Sequence, residues 1–449
     1  MKAEYIILGA GPTGLGALHR LKERGEDSVI LLEKNSYPGG LASSFTDEKG
    51  FIWDIGGHVV FSHYEYYDRL LDSLLCDNFL EHQRESFVRA AATWVPYPFQ
   101  NNIRHLPPEV RWDCVKALLP GMRSEKAPAN FKEWILKIFG EGIARYFMLP
   151  YNFKVWATHP EDMDFSWIGE RISIVDLRSV LKNILLERDQ VSWGPNNTFK
   201  FPLKGGTGEI YRKLAARYED NIIYNTKAVR IDTAQKIITD HLGNSFSYNN
   251  LLSTLPLDLL VTKLIPDSKT SLINAAAKLK HNSVFVGGIG LSESRPDSRC
   301  WMYFPERDCP FYRMTNFHNY SPNNTPVPGS GRALMCEVSH SNQKPEKLDS
   351  MLAEIEQGLV NTGLIGTAER NKIISRWSIN VDYGYPVPCL ERNEALKLLQ
   401  PELEKLDIYS RGRFGGWKYE VSNMDHSVMQ GVEWADRMVS GQPETTYRI

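Results

Sequence analysis

The stretch EYIILGAGPTGLGALHRLKERGEDSVILLE, residues 4–33, decides the fold. It opens on a short continuous apolar run, EYIIL, of the kind that forms a strand buried on both faces. Gly9-Ala10-Gly11-Pro12-Thr13-Gly14 follows, then LGALHRLKERG with apolar residues at helical spacing, then SVILL, a second buried strand closed by Glu33. Each glycine answers a separate steric demand. Gly9 permits the tight turn, Gly11 lets the backbone approach a pyrophosphate, and Gly14 lets the helix pack against the sheet. The helix N-terminus directs its N–H groups at phosphate. Glu33 is placed to accept hydrogen bonds from a ribose hydroxyl. A G-x-G-x-x-G alone is a weak signal, but framed by two strands and closed by an acid it is a strong one.

Two further glycine pairs lie just downstream. NSYPGGLASS carries Gly39 and Gly40, and GFIWDIGGHVVFSHY (50–64) carries Gly56 and Gly57 ahead of His58 and His63. Three glycine-dependent backbone approaches within the first 60 residues suit a long, extended FAD better than an NAD that comes and goes. Farther out, 104–190 turns helical in pattern, 282–390 alternates strands and loops, and LDIYSRGRFGGWKYEVSNMDHSVMQGVEWADRMV gives a strand, a glycine-rich turn and a closing helix. In IIYNTKAVRIDTAQKIITD, Val229 is placed to meet an adenine through its backbone. The expected fold class is α/β: a discontinuous Rossmann-like FAD-binding fold (1–80, 198–255 and 406–449), an inserted helical domain (103–197) and an antiparallel β-sheet substrate domain (81–102 and 256–405).

Composition narrows the function classes. The chain has 449 residues, too many for one core, with a net charge of −2 and no basic tract, which argues against nucleic acid or an anionic membrane surface as partner. No apolar window has the length of a signal peptide or a membrane span. Six cysteines stand singly, without CxxC or HExxH, as in reduced cytoplasmic thiols rather than a disulfide framework or zinc site.

Several stretches carry chemistry. WVPYPFQNN (94–102) presents Trp94, Tyr97, Phe99 and Gln100 from proline-stiffened backbone, which suits a planar base stacked and bonded at its edge, with a packed extended segment as the alternative. Residues 300–322 place Trp301, Tyr303, Arg313 and Tyr320 in one strand–loop–strand unit. Arg171, Arg313 and Arg413 lie in three neighbourhoods rich in aromatic or glycine residues. Any one arginine is most often a solvated side chain. Two converging on a diphosphate would stabilise it as a leaving group. The residues leave His58 open between a core histidine and a neighbour that tunes a flavin.

Taken together, GAGPTGL, PGGLASS, GGHVVFSHY, WVPYPFQNN, PYNFKVWA, GPNNTFKFP, GGTG, YFPERDCPFYR, NYSP, YGYPVP and RGRFGGWKYEVSNMDHS occur in the order of the UDP-galactopyranose mutases. The chain resembles that family from about residue 4 to 440, and most nearly its fungal and other eukaryotic-type members. The resemblance implies interconversion of UDP-galactopyranose and UDP-galactofuranose with no net redox change. The reduced flavin N5 attacks the anomeric carbon, UDP departs, and the sugar opens as an iminium and recloses. It also implies FAD active in its reduced form, NAD(P)H as the electron donor, a cytoplasmic location and a possible homo-oligomer. By resemblance Arg171 and Arg313 clamp the diphosphate, and Tyr303, Tyr385 and Tyr419 supply phenols around it. Tyr97, Phe99, Gln100, Met148, Asn152 and Trp156 match the uridine pocket, with Phe61 near the sugar, and Trp301 is a further candidate for substrate binding. Asn196 matches a residue of a closing loop, Asn423 one near sugar and flavin, His58 the histidine whose backbone faces N5, and Arg413 a cofactor contact. Met424 and Leu149 depart from the family pattern. The framework also leaves room for a mutase of another nucleotide sugar, or for an FAD-dependent oxidoreductase.

Overall fold

The computed structural model describes residues 1–123, 126–169, 172–191 and 198–449. The opening unit folds as its pattern predicts, into β1 (Lys2–Leu8), α1 (Pro12–Glu23) and β2 (Val29–Leu32). The two strands are parallel, with Tyr5 beside Val29 and Leu8 beside Leu32. Ile6, Ile7 and Leu31 are fully buried. A strand covered on both faces needs no polar alternation, and none is present. A Cβ on Gly14 would lie 1.9 Å from the Gly9 carbonyl oxygen, so α1 can begin this close to the strand end only with glycine there.

Around this unit runs a seven-stranded sheet in the order Ala228–Asp232, Ile237–Asp240, Ser245–Ser253, β1, β2, Ile222–Ile223, with Ile408–Ser410 also paired to Ser245–Ser253. Its centre is parallel and its outer hairpin antiparallel. The closing helix, Met424–Ser440, packs against α1, where Arg20 and Arg24 each donate to Asp436 at 2.8 Å.

A second seven-stranded sheet has the order Ile373–Val387, Lys280–Leu291, Arg332–His340, Arg313–Asn316, Trp301–Tyr303, Ser86–Ala90, Thr93–Pro96. Its pairs are antiparallel except that Trp301–Tyr303 runs parallel to Ser86–Ala90. One face is covered by the helix Met351–Asn361 through Ile355 and Leu359. On the other, Trp53 stacks between Phe51 and Trp377 at 5.7 and 6.1 Å. The helices Phe131–Ile143, Leu149–Trp156 and Leu177–Leu185 form a third layer. Asn130 and Asp176 cap the first and last of these, each accepting from a backbone N–H three residues on, which meets one of the otherwise unpaired donors of the first turn. Among the described residues no helix is long and apolar enough to cross a membrane.

Candidate functional site

The site lies where the loops after β1 and β2 meet the inner face of the second sheet. At the dinucleotide end, Gly11 is the N-cap of α1 and Gly39 donates its N–H to the Ala10 carbonyl at 2.8 Å, so the two glycine turns stand side by side. Glu33 is 5% exposed, and accepts from the amides of Ala10 at 2.7 Å and Asn35 at 2.8 Å. Burial raises its carboxyl and these amides oppose the rise. Each carboxylate oxygen keeps acceptor capacity for a ribose. Val229 sits in a bulge between Ala228 and Arg230, where the ladder is interrupted, and its side chain is exposed.

The second sheet supplies the charged wall through its register. Tyr303, Arg313 and Glu337 are successive cross-strand partners, followed by Val286 on the next strand, so four strands deliver them in one row on one face. Arg313 grips Glu337 with two parallel bonds, Nε to Oε1 and Nη2 to Oε2, both 2.7 Å. Glu337 is 2% exposed, and also accepts from the Tyr312 hydroxyl at 2.7 Å and the Gly57 N–H at 3.0 Å. Burial alone would raise its carboxyl, but Arg313, Tyr312 and Gly57 together hold it below the ordinary carboxylate range.

Glu337 revises the reading of the second glycine pair. The sequence suggests that Gly56 and Gly57 clear space for a flat ring. In the structure, a Cβ on Gly56, whose φ is +89°, would meet Glu337 Oε2 at 3.1 Å, and one on Gly57 would meet Thr315 Oγ1 at 2.7 Å. The missing side chains admit a buried carboxylate and a threonine of the sheet. The next residue, His58, donates its N–H to Gly56 O at 2.9 Å, and its buried Nδ1 has no hydrogen-bond partner among the described residues.

Burial, then Arg413, and to a smaller extent Arg313, push the His58 imidazole down to about 4, with Glu337 opposing. The unfolded chain therefore takes up this proton near its ordinary pKa of about 6.5, before the folded protein does. Stability is expected to fall as pH drops from there to about 4, by up to about 3 kcal/mol from this group. Urea unfolding of wild type and His58→Asn across that window checks this. Equal acid-side slopes would show that the folded protein protonates His58 normally.

Arg413 lines the same cavity as Arg313, its guanidinium 4.8 Å from the Tyr385 ring centroid and 5.8 Å from Tyr419. It also donates to Gly384 O and to Ser422 O and Oγ, all at 3.3 Å. His58, Arg313, Glu337, Tyr385 and Arg413 line one cavity.

Beyond the charged row the wall is aromatic. Tyr97 lies 5.3 Å from Tyr303, which also meets Tyr151 at 5.3 Å and bonds the Trp301 indole. Trp156 meets Tyr419 at 4.8 Å and Tyr385 at 5.8 Å. Arg84 stacks over Trp301 and Tyr97, at 4.7 and 5.4 Å. Gln100 donates to Ser173 O at 2.6 Å, and its buried Oε1 has no partner among the described residues. Phe99 and Met148 stand behind this wall. Phe99 is fully buried 4.9 Å from Phe147, and Met148 is 3% exposed and accepts through its carbonyl from Asn152. Phe61 packs edge-on to His63 at 5.8 Å. Asn423 is the N-cap of the closing helix. Arg171 and Asn196 lie outside the described residues.

Sequence reasoning missed Glu337, Tyr312, Tyr151 and Arg84. A signal for Glu337 was available: it is the lone acid within the apolar strand RALMCEVSH, where an unpaired carboxylate would be costly.

The model for flavin-containing amine oxidoreductases matches residues 12–437. The crystal structure of a reduced UDP-galactopyranose mutase is 43% identical, aligns over 100% of this chain and 96% of its own, and superposes with a TM-score of 0.95. A fatty acid isomerase from P. acnes is 13% identical over 97% of this chain and 99% of its own, with a TM-score of 0.65. Putrescine oxidase bound to putrescine is 15% identical over 98% and 99%, also at 0.65. These last two share the fold.

Proposed function

We infer, for a chain that belongs to the flavin-containing amine oxidoreductase family and within it to the UDP-galactopyranose mutases, a flavin-dependent isomerase that interconverts UDP-galactopyranose and UDP-galactofuranose without net redox change. The observation that carries this reading is the row Tyr303–Arg313–Glu337 lying against Gly57 and His58, with Arg413 in the same cavity. It sets cations for a diphosphate beside the backbone that would border a flavin.

The residues present fit FAD. The N-terminus of α1, the facing turns at Gly11 and Gly39, and Glu33 with spare acceptor capacity are what a dinucleotide needs. The Nδ1 of His58, buried and without a hydrogen-bond partner among the described residues, is a polar atom that a bound group could meet. Reduced FAD, when bound, supplies a nucleophilic flavin nitrogen to the anomeric carbon. The chain's own residues do the rest in this proposal. Arg313, with Arg171 from outside the described residues, holds the departing diphosphate and compensates the charge that builds on it. Tyr303, Tyr385 and Tyr419 offer hydroxyls to the phosphate oxygens. Tyr97, Gln100 and Trp156 form a site for the uracil ring, and Gln100 Oε1 can accept from its imide N–H. Asn196, outside the described residues, keeps the substrate-side role that its match to the family implies.

The reading extends to a hydride donor, NAD(P)H, that primes the flavin, and to a cytoplasmic setting that suits six cysteines free of disulfides. The long motif RGRFGGWKYEVSNMDHS supports assignment to the eukaryotic-type branch. Dithionite-reduced protein is expected to convert UDP-galactofuranose to the pyranose form, followed by chromatography. Unchanged substrate would reject the assignment. Sustained oxygen uptake matched to an oxidised organic product would replace it with an oxidoreductase.

A further inference from the structure

Outside the phosphate cleft, His63, Asp425 and His426 form a cluster that the proposed reaction does not use. Asp425, the second residue of the closing helix, is 1% exposed. Its Oδ2 accepts from the His63 N–H at 3.2 Å and lies 2.8 Å from His63 Nδ1, while its Oδ1 lies 2.9 Å from His426 Nδ1. The ligand atoms of the three side chains lie within 4.8 Å of one another, the one such grouping among the described residues.

We propose that this cluster binds one divalent transition-metal ion of the zinc class through His63 Nδ1, the Asp425 carboxylate and His426 Nδ1. Two imidazoles and a carboxylate form a donor set for zinc, cobalt or nickel rather than for calcium or magnesium. The ion binds where each Nδ1 now faces a carboxylate oxygen, and each imidazole stays neutral by carrying its one ring proton on Nε2. Metal–ligand bonds of about 2.0–2.1 Å at a tetrahedral angle put neighbouring donors about 3.3 Å apart, so the two nitrogen–oxygen spacings must open by roughly half an ångström, and the two nitrogens, within 4.8 Å of each other, must take up the same separation. His63 can supply that movement. Its side chain is 42% exposed, on the connection leading into the helix Glu65–Leu75, whereas Asp425 is fixed by the helix. The same exposure gives an entry path and leaves the fourth position to water. Tyr64 packs edge-on to both imidazoles, at 6.4 and 5.5 Å, and limits their rotation.

The test uses the full FAD-loaded protein, stripped with a chelator, incubated with zinc chloride and desalted before metal counting. In parallel, cobalt(II) is titrated and its visible absorption read. About one metal per chain and a tetrahedral cobalt band are expected. Affinity should be at least about tenfold weaker in both His63→Ala and His426→Ala, because even an outer-shell partner of a bound metal is worth about that much. Flavin absorbance reports that each variant is folded. A wild type without a cobalt band, or two variants that retain wild-type stoichiometry and affinity, would overturn the proposal. The comparison also removes any contribution from the exposed thiol of Cys76.

Discussion

Replacing Arg313 by alanine is expected to lower kcat/KM for the isomerisation by about 10²–10³-fold, the usual cost of removing one preorganised group aimed at developing negative charge. The diphosphate loses a cation held in place by two 2.7 Å bonds. The same change leaves Glu337, 2% exposed, with the Tyr312 hydroxyl and the Gly57 N–H as its donors among the described residues. Breaking a buried pair from one side costs about 3–5 kcal/mol of stability. Arg313→Lys separates the two effects. A lysine keeps the charge but not the fork, so stability should recover more than activity does. Steady-state kinetics of the reduced enzyme and urea unfolding read them independently. A kcat/KM within about threefold of wild type would remove Arg313 from the diphosphate site.

Glu337→Gln carries the second large effect, of a different kind. The amide preserves shape, but presents donors to Arg313 and Tyr312 where a carboxylate accepted from both. Stability is expected to fall by about 3–5 kcal/mol, since a guanidinium remains in a buried setting without its anion. KM for the nucleotide sugar should not rise, because the arginine is then uncompensated, whereas kcat should fall, because Arg313 and the Gly56–Gly57 peptide lose their common anchor. The double variant Arg313→Met with Glu337→Leu should lose less stability than the sum of the losses of Arg313→Met and of Glu337→Leu made singly, as coupled residues do. Simple additivity would show that the pair is not one unit.

Much of the dinucleotide half was legible because its determinants are local. A buried strand, a glycine turn and a helix read off about thirty consecutive residues, and Glu33 lies at a fixed distance from Gly14 along that unit. The aromatic segment at 94–102 was legible as a presenting surface, but burial sorted its members. Tyr97 faces Tyr303, whereas Phe99 packs inward on Phe147. No spacing rule separates the two, since the difference arises from what the helical layer covers.

Sequence by itself determined where the chain turns, which strands are apolar enough to be central, and that a phosphate-bearing dinucleotide has a place beside α1. Those properties follow from steric limits and periodicity over one or two turns of chain. Only the tertiary structure decided that Tyr303, Arg313 and Glu337 form one row and that Gly57 closes on the last of them. Pairing register between strands is set by the packing of whole sheet faces, and a slip of one residue would send each of these side chains to the opposite side.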